Sequence, residues 1–312
     1  MKKIDVIEFS QKAEENLFGL ISDFENNKYS HSKYSRFIIC DPKKREIAKA
    51  LVKDRIVHHA IHRILISIFE PGFIFDSYSS RTDKGIHKAI LRLRTFILKI
   101  TKNNTKTAWV LKCDIKKFFD SIDHEILSSL VRKKIKDEKL LILIEKIIQS
   151  YHKKPEKGIP LGNLTSQLFS NIYLNELDNF VKRELREKYY LRYADDFIIL
   201  SSEKEQLEKL VLIIDNFLQT NLKLHLHPSK VSIRKIHQGV DFLGAVVFPT
   251  HIILRTKTKK RMLRKIRARK KELKAGIIDE KYFNQSLQSY LGMLTHCRGN
   301  GIKREISEII EA

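Results

Sequence analysis

The decapeptide "LRYADDFIIL", Leu191–Leu200, sets two adjacent carboxylates, Asp195 and Asp196, between short apolar runs. The flanks read as the strands of a β-hairpin and the dipeptide as its turn, a place that suits Asp. Like charges in contact repel, and burying them is costly. Such a pair is tolerated where water reaches the turn or where a cation neutralises it. The stretch alone leaves both readings open, and the surrounding chain has to decide between them.

Upstream, "AWVLKCDI" (Ala108–Ile115) reads as a strand ending on Asp114. "HEILSSLVRKKI" and "KLLILIEKIIQSY" read as helices, with Asp123 as N-cap of the first. "KKPEKGIPLGN" is a loop, and a long helix is expected from Ser166 to Glu187. The order strand, helices, loop, helix, strand–turn–strand predicts an α+β domain with helices against a small antiparallel sheet. Asp114 would then end a strand able to pair with the Asp195–Asp196 hairpin. Three carboxylates on adjacent strands make a hard, oxygen-only, negative site that suits Mg²⁺. Two such ions ~3.5–4 Å apart activate an attacking 3′-hydroxyl and stabilise a leaving pyrophosphate.

Farther out, "RFIICDPKKREIAKAL" predicts two short strands around a basic turn at Asp41–Lys44. "KDRIVHHAIHRILISIF" and "IHKAILRLRTFILKI" carry helical stripes, with the loop "EPGFIFDSYSSRTDKG" between them. "KEQLEKLVLIIDNFLQTN" is helical, and "LKLHLHPSKVSIRK" and "VDFLGAVVF" are strand–turn pieces. From Arg255 to Lys274 the chain has twelve Lys/Arg and one acid, with Met262, Ile266 and Leu273 near helical spacing. One face of such a helix packs while the others track a phosphate backbone.

The balance of 60 Lys+Arg against 37 Asp+Glu gives 312 residues a formal charge of +23. That surplus suits a polyanion, nucleic acid first and a membrane surface second. No apolar run approaches the ~18 residues of a membrane span. Acidic residues interrupt "MKKIDVIEFSQKAEENLF", so it is not read as a signal peptide. Cys40, Cys113 and Cys297 are scattered, which points to a reducing cytoplasm and no structural zinc. His58 and His62 have the i, i+4 spacing of a zinc pair, but no third ligand is evident, so a polar helix is the preferred reading.

"YADD" resembles the YxDD signature of reverse transcriptases, and "LKCDIKKFFDSIDHEIL" resembles their first catalytic motif. "GIPLGNLTSQLFSNIYLNELD" is similar to the template-handling motif between the two. "KKREIAKALVKDRIVHHAI" is similar to the fingers motif of group II intron and related bacterial enzymes, and "LHPSKV" and "VDFLGAV" to the later palm motifs. The motifs stand in family order from about Arg45 to Gly244. The resemblance implies a right-hand polymerase fold. Its expected parts are an N-terminal extension (1–35), fingers (36–106), palm (107–250, with fingers inserted at about 135–160) and a basic helical thumb (251–312).

It also implies roles. Asp114, Asp195 and Asp196 match the catalytic aspartates, with the carbonyl of Ile115 as a further metal ligand. The implied cofactor is two Mg²⁺, with Mn²⁺ as a substitute. Phe119 would lie under the sugar and exclude a 2′-hydroxyl, against an ordinary core aromatic, for which Phe118 is the better candidate. Arg45 would grip the incoming triphosphate. Arg55 is either a template contact or a structural ion pair. Leu161, Gly162 and Gln167 match the base-pair pocket, and Lys230 the lysine proposed to protonate the leaving pyrophosphate. Phe242, Leu243 and Gly244 match the primer-grip turn, against plain strand packing. Arg81, with Lys84 and His87, is a candidate template-phosphate contact, and Lys260, Arg264 and Arg267 are thumb contacts to nucleic acid.

The middle motif reads "LGNLTSQ" where most bacterial relatives have "QGxPxSP". Leu before the Gly and SQ in place of SP look like the diversity-generating retroelement branch, as does the short chain with no appended endonuclease or maturase segment. That branch implies a template-repeat RNA, the RNA/cDNA duplex and dNTPs as ligands, errors at template adenines, and a basic oligomeric accessory variability protein. Two rivals stand beside it. A retron-like or antiphage-defence enzyme would lack a template repeat and a near-identical variable gene in its neighbourhood. Against a non-polymerising RNA-binding scaffold stand the intact Asp114, Asp195 and Asp196.

Overall fold

The computed structural model describes residues 4–41 and 43–311. Pro42, inside the expected turn at Asp41–Lys44, lies outside the described residues. Helices α1 (Ile4–Gln11) and α2 (Ala13–Glu25) come first, followed by an antiparallel hairpin of β1 (Ser35–Ile39) and β2 (Arg45–Lys49). Every residue of β1 is exposed, so the hairpin projects from the body. Helices α3 (Val52–Phe69) and α4 (Ile86–Ile100) follow, separated by a loop that begins with a short 3₁₀ turn.

The central sheet is built from β3 (Trp109–Asp114), β4 (Tyr190–Tyr193), β5 (Asp196–Ser201) and β6 (Ser232–Lys235), in the order β4-β5-β3-β6. Between β3 and β4 run α5 (Phe118–Ser121), α6 (His124–Lys134), α7 (Glu138–Gln149) and α8 (Leu164–Asn179). Asp123 caps α6 by accepting from the Ile126 N–H, as its sequence position suggested. Helix α9 (Lys204–Leu222) joins β5 to β6.

Side chains alternate across a strand, and here both faces of the sheet are covered. Leu111, Cys113, Phe197 and Ile199 enter one core with α3, α8 and α9. Val110, Leu191, Ile198 and Leu200 enter a second core with α4 and a smaller sheet. That explains why β5 reads as an unbroken apolar run. The smaller sheet is β7 (Val240–Phe242), β8 (Ala245–Val247) and β9 (Ile252–Leu254), all antiparallel. Because β9 pairs with β8 up to Leu254, the basic helical tail starts at Thr256, one residue past the start of the basic run at Arg255. It forms α10 (Thr256–Lys274), α11 (Glu280–Leu294) and α12 (Asn300–Glu311) around a third core centred on Met262, Ile266, Phe283 and Ile306.

Two expectations shift. Regular α-helix ends at Asn179, eight residues before Glu187, and passes through a π turn at Phe180–Glu184. The turn lets Phe180 stack on Phe217, 4.0 Å between ring centroids, while Arg186 reverses the chain at φ 56°. "LKLHLH" forms no regular strand. Leu224 and Leu226 are buried, and a single bridge pairs Leu226 with Ile115.

Candidate active site

Asp114 and Asp196 are register partners across β3 and β5, and Tyr193 pairs with Asp196 across β4 and β5. Ala194 and Asp195 therefore form a two-residue turn, with Ala194 in the left-handed region at φ 53°. A non-glycine residue there stores strain, of order 1–3 kcal/mol, that surrounding structure must hold. Arg192 holds it. Its side chain is fully buried, and Nε and Nη2 donate to the two Asp178 oxygens at 2.7 and 2.6 Å. Nη1 donates to the Ala194 carbonyl at 3.1 Å, and Nη2 also reaches Ser77 Oγ at 3.2 Å. Asp178 lies on α8, so helix, loop and the Ala194–Asp195 turn are tied to one guanidinium. Sequence reading missed Arg192; the only signal was a basic residue inside an apolar strand.

The carboxylates above this clamp are under electrostatic load. Burial, then repulsion from Asp196 and Asp114, pushes Asp195 up to about 6, against the pull of Lys230. Burial also raises Asp196, with Asp114 adding to the effect and Lys112 and Lys230 opposing it. The Lys230 ammonium sits 2.6 Å from Asp114 Oδ1. The backbone brings it there: His227 N–H donates to the Asp114 carbonyl at 2.8 Å, and Lys230 N–H to the His227 carbonyl at 3.0 Å. The Ile115 N–H donates to the Asp195 carbonyl at 3.3 Å. A cavity of about 350 Å³ opens beside Asp114 and Asp196, lined also by Lys112, Lys230, Arg234 and Arg255.

Among the described residues no three His, Cys, Asp or Glu side chains close into a ready metal cage. The carboxylates form an open, one-sided site. Its chemistry fits a hard divalent cation: the donors are oxygens only, they repel one another, and an ammonium already lies against one of them.

Leu161 and Gly162, expected in the base-pair pocket, lie against the projecting hairpin. Ala48 N–H donates to the Leu161 carbonyl at 3.0 Å, which docks β2 on the loop before α8. The buried Asn163 side chain accepts from Ala50 N–H at 3.0 Å and donates to the Ala48 carbonyl at 2.8 Å. Asn163 is a second positioning residue that sequence reading passed over. Gly162 has φ 111°, and a Cβ there would lie 2.7 Å from Ile47 Cγ2, so only glycine fits. Gln167 is exposed on the first turn of α8. Phe118 is buried and Phe119 half-buried on α5, where its carbonyl accepts from Ile159 N–H at 2.9 Å.

Arg45 opens onto a larger cleft of about 890 Å³ between the hairpin and α10, lined also by Leu243, Gly244, Lys260, Arg261 and Arg264. Arg267 is exposed one turn farther along α10, outside that lining. At the hairpin tip Asp41 pairs with Lys265 of α10.

Three expected contacts take other places. Arg81 is spent inside its own loop: only 6% of its side chain is exposed, and it donates to Glu70 and to the carbonyls of Ile74 and Ser77. It has no donor turned toward a template. Phe242 is wholly buried in the second core, which leaves the half-buried Leu243 (φ 50°) and Gly244 (φ 85°) as the part of that turn that lines the large cleft. Arg55 pairs with Asp5 of α1 at 2.9 Å, the ion-pair alternative of its two readings. His58 is buried between Thr165 Oγ1 at 2.5 Å and His31 Nε2 at 3.0 Å.

Residues 33–247 match the model of the family described as reverse transcriptase (RNA-dependent DNA polymerase). The chain belongs to the reverse transcriptase family. It is 30% identical over 241 residues to protein YkfC of Escherichia coli (strain K12), covering 65% of this chain and 62% of YkfC. It is 28% identical over 304 residues to the group II intron-encoded protein LtrA of Lactococcus lactis subsp. cremoris, covering 74% of this chain and 49% of LtrA. The match thus spans about half to three-fifths of these relatives' lengths. Among solved structures, apo telomerase from Candida tropicalis aligns with a TM-score of 0.56 at 14% identity, over 95% of this chain and 61% of that one. This likeness is one of fold, the right-hand polymerase fold.

Proposed function

We propose that the protein is an RNA-templated DNA polymerase that extends a primer 3′-hydroxyl with dNTPs. The observation that carries this reading is the register pair Asp114–Asp196, with Asp195 in the adjoining turn and Lys230 at 2.6 Å from Asp114. Asp114, Asp195, Asp196 and the Ile115 carbonyl would hold two Mg²⁺, or Mn²⁺ in their place. Bound there, the ions supply Lewis-acid activation of the hydroxyl and stabilisation of the leaving pyrophosphate. Lys230 exchanges its contact with Asp114 for the pyrophosphate, which it neutralises or protonates. Arg45 grips the triphosphate. Phe119 lies under the sugar and selects against a 2′-hydroxyl. Gly162 lets the backbone approach the nascent pair. In this reading the β1–β2 hairpin with α3 and α4 forms the fingers, the two sheets with α8 and α9 the palm, and α10–α12 the thumb, with Lys260, Arg264 and Arg267 on its duplex side.

Within the family we assign the chain to the diversity-generating branch, on the "LGNLTSQ" motif. Leu161 offers an aliphatic side chain where a glutamine amide would hydrogen-bond in the pocket. Base-pair geometry is then policed less strictly, and misincorporation rises, at template adenines in that branch. A template-repeat RNA and a basic oligomeric accessory protein complete the reading.

Primer extension on a heteropolymeric RNA, with dNTPs and Mg²⁺, tests it. The expected result is metal-dependent cDNA that Asp195→Asn abolishes, with errors opposite adenines. Retained synthesis in Asp195→Asn overturns the site assignment. Faithful product keeps the polymerase and points to a retron-like or intron-like relative. An error frequency unchanged in Leu161→Gln overturns the role of Leu161.

A further inference from the structure

A second basic pocket lies outside the cleft of Arg45 and α10. It holds about 470 Å³ between α4, the turn joining β8 to β9, and the loop joining α11 to α12. Arg94, His251, His296 and Arg298 line it, and no carboxylate does among the described residues. Two of these groups have unused donors. Arg94 Nε is buried without a partner, and its Nη2 reaches only the Thr250 carbonyl at 3.4 Å. Arg298 is exposed, and its guanidinium has no partner among the described residues. The backbone fixes it in place, since Arg298 N–H donates to the Ile252 carbonyl at 2.7 Å. His251 is held by a stack on Phe248, 4.8 Å between centroids, and a 2.9 Å contact with Thr250 Oγ1.

Two guanidiniums with free donors and no carboxylate in the lining form an anion receptor, and the guanidinium fork fits phosphate as it fits carboxylate. The location points to phosphate. Ile86, at the start of α4, lines the large cleft, while Leu91 and Arg94 on the same helix line this pocket. At 1.5 Å per residue the two are about 12 Å apart along the helix axis. Between them His87 stacks on His296 at 3.8 Å, offering flat rings in the interval. We propose that this pocket takes phosphates of a nucleic-acid strand that continues past the polymerising cleft, guided over the His87–His296 pair. Arg94 and Arg298 are the phosphate ligands. The proposal rests on the reading of the cleft as a nucleic-acid polymerase.

The test compares two substrates: a primer–template hybrid with a short overhang, which ends inside the cleft, and one with a long single-stranded template. Binding of each is measured against salt for the native protein and for Arg94→Gln/Arg298→Gln. On the long substrate the slope of log K against log salt should fall by about 1.4, at about 0.7 per single-strand phosphate contact. On the short substrate slope and primer extension should not change, and Arg94→Lys/Arg298→Lys should restore most of the lost slope. An unchanged slope on the long substrate overturns the pocket, and an equal loss on both substrates makes these residues part of the cleft. Failure of the native protein to extend the short hybrid would count against the polymerase reading instead. Cys297 lines the pocket and serves as a probe in a Cys40→Ser background, Cys113 being buried. The long strand should slow its alkylation and millimolar inorganic phosphate should not. Equal protection by phosphate alone would make this a small-anion site and overturn the nucleic-acid assignment.

Discussion

Two hairpins serve the candidate site, and they are built in opposite ways. The β4–β5 hairpin is buried along both strands and anchored by a fully buried Arg192–Asp178 pair under its turn. The β1–β2 hairpin has one wholly exposed strand, an exposed cross-strand pair Arg36–Glu46 at 3.3 Å, and a dock at its base through Ala48, Ala50 and Asn163. The first carries carboxylates that repel one another and must hold their places. The second carries Arg45, which lines the large cleft and is the residue proposed to grip the triphosphate. Rigidity is spent where charges would otherwise spread apart, and exposure is kept on the hairpin that borders the large cleft.

The sharpest way to break that comparison is Arg192→Met. Leaving Asp178 charged in the core with no cation, and only the Tyr190 hydroxyl at 2.6 Å beside it, should cost about 3–5 kcal/mol in urea unfolding. The apolar double Arg192→Met/Asp178→Leu should recover part of the stability, since the buried Tyr190 hydroxyl loses its acceptor, but little of the polymerisation, since the Ala194 carbonyl remains unheld. Full activity in that double would show that the turn needs no clamp.

A second test concerns the ground beneath the projecting hairpin. Burial, with the nearby His31 and His59 adding and Asp54 opposing, lowers His58 to about 4. Its folded form therefore stays neutral while the unfolded chain takes up a proton near 6.5. Stability from this group is intact above pH 6.5 and is lost as pH falls from 6.5 toward 4, up to about 3 kcal/mol. The unfolding free energy of His58→Gln, followed over the same range, should fall less steeply than that of the native chain. Parallel curves would remove His58 from the account.

Asn163→Ala should cost about 1–3 kcal/mol, because it strands Ala50 N–H and the Ala48 carbonyl. Its larger effect should be on KM for dNTPs, with kcat changed less, since β2 carries Arg45 at its start. A pure stability loss with unchanged KM would separate the dock from substrate binding. Smallest of all, Arg36→Met should change stability by no more than about 1 kcal/mol, the range of exposed pairs. A loss approaching that of Arg192→Met would erase the contrast between the hairpins.

Much of this was legible in the chain. The strand ending at Asp114, the β4–β5 hairpin, the α6 cap at Asp123 and the helices α3, α4 and α9 all follow from periodicity and turn chemistry, although the turn itself is Ala194–Asp195 and Asp196 already belongs to β5. Those signals are local, set by neighbours within a few residues. Less legible were the fates of individual polar groups. Arg81 and Arg45 look alike in sequence, yet one is spent on Glu70 and carbonyls of its own loop, and the other lines the cleft. Phe242 and Leu243 are adjacent, yet one is core and the other turn.

The sequence by itself determined the family, the α+β class, the three aspartates and the surplus of positive charge. Each rests on a motif, a period or a count. Only the tertiary structure decided that Arg192 clamps the Ala194–Asp195 turn, that Asn163 docks the projecting hairpin, and that Arg94 and Arg298 line one pocket with no carboxylate in it among the described residues. A side chain's partner depends on which distant segment packing brings within about 3 Å, and a linear pattern carries no record of that distance.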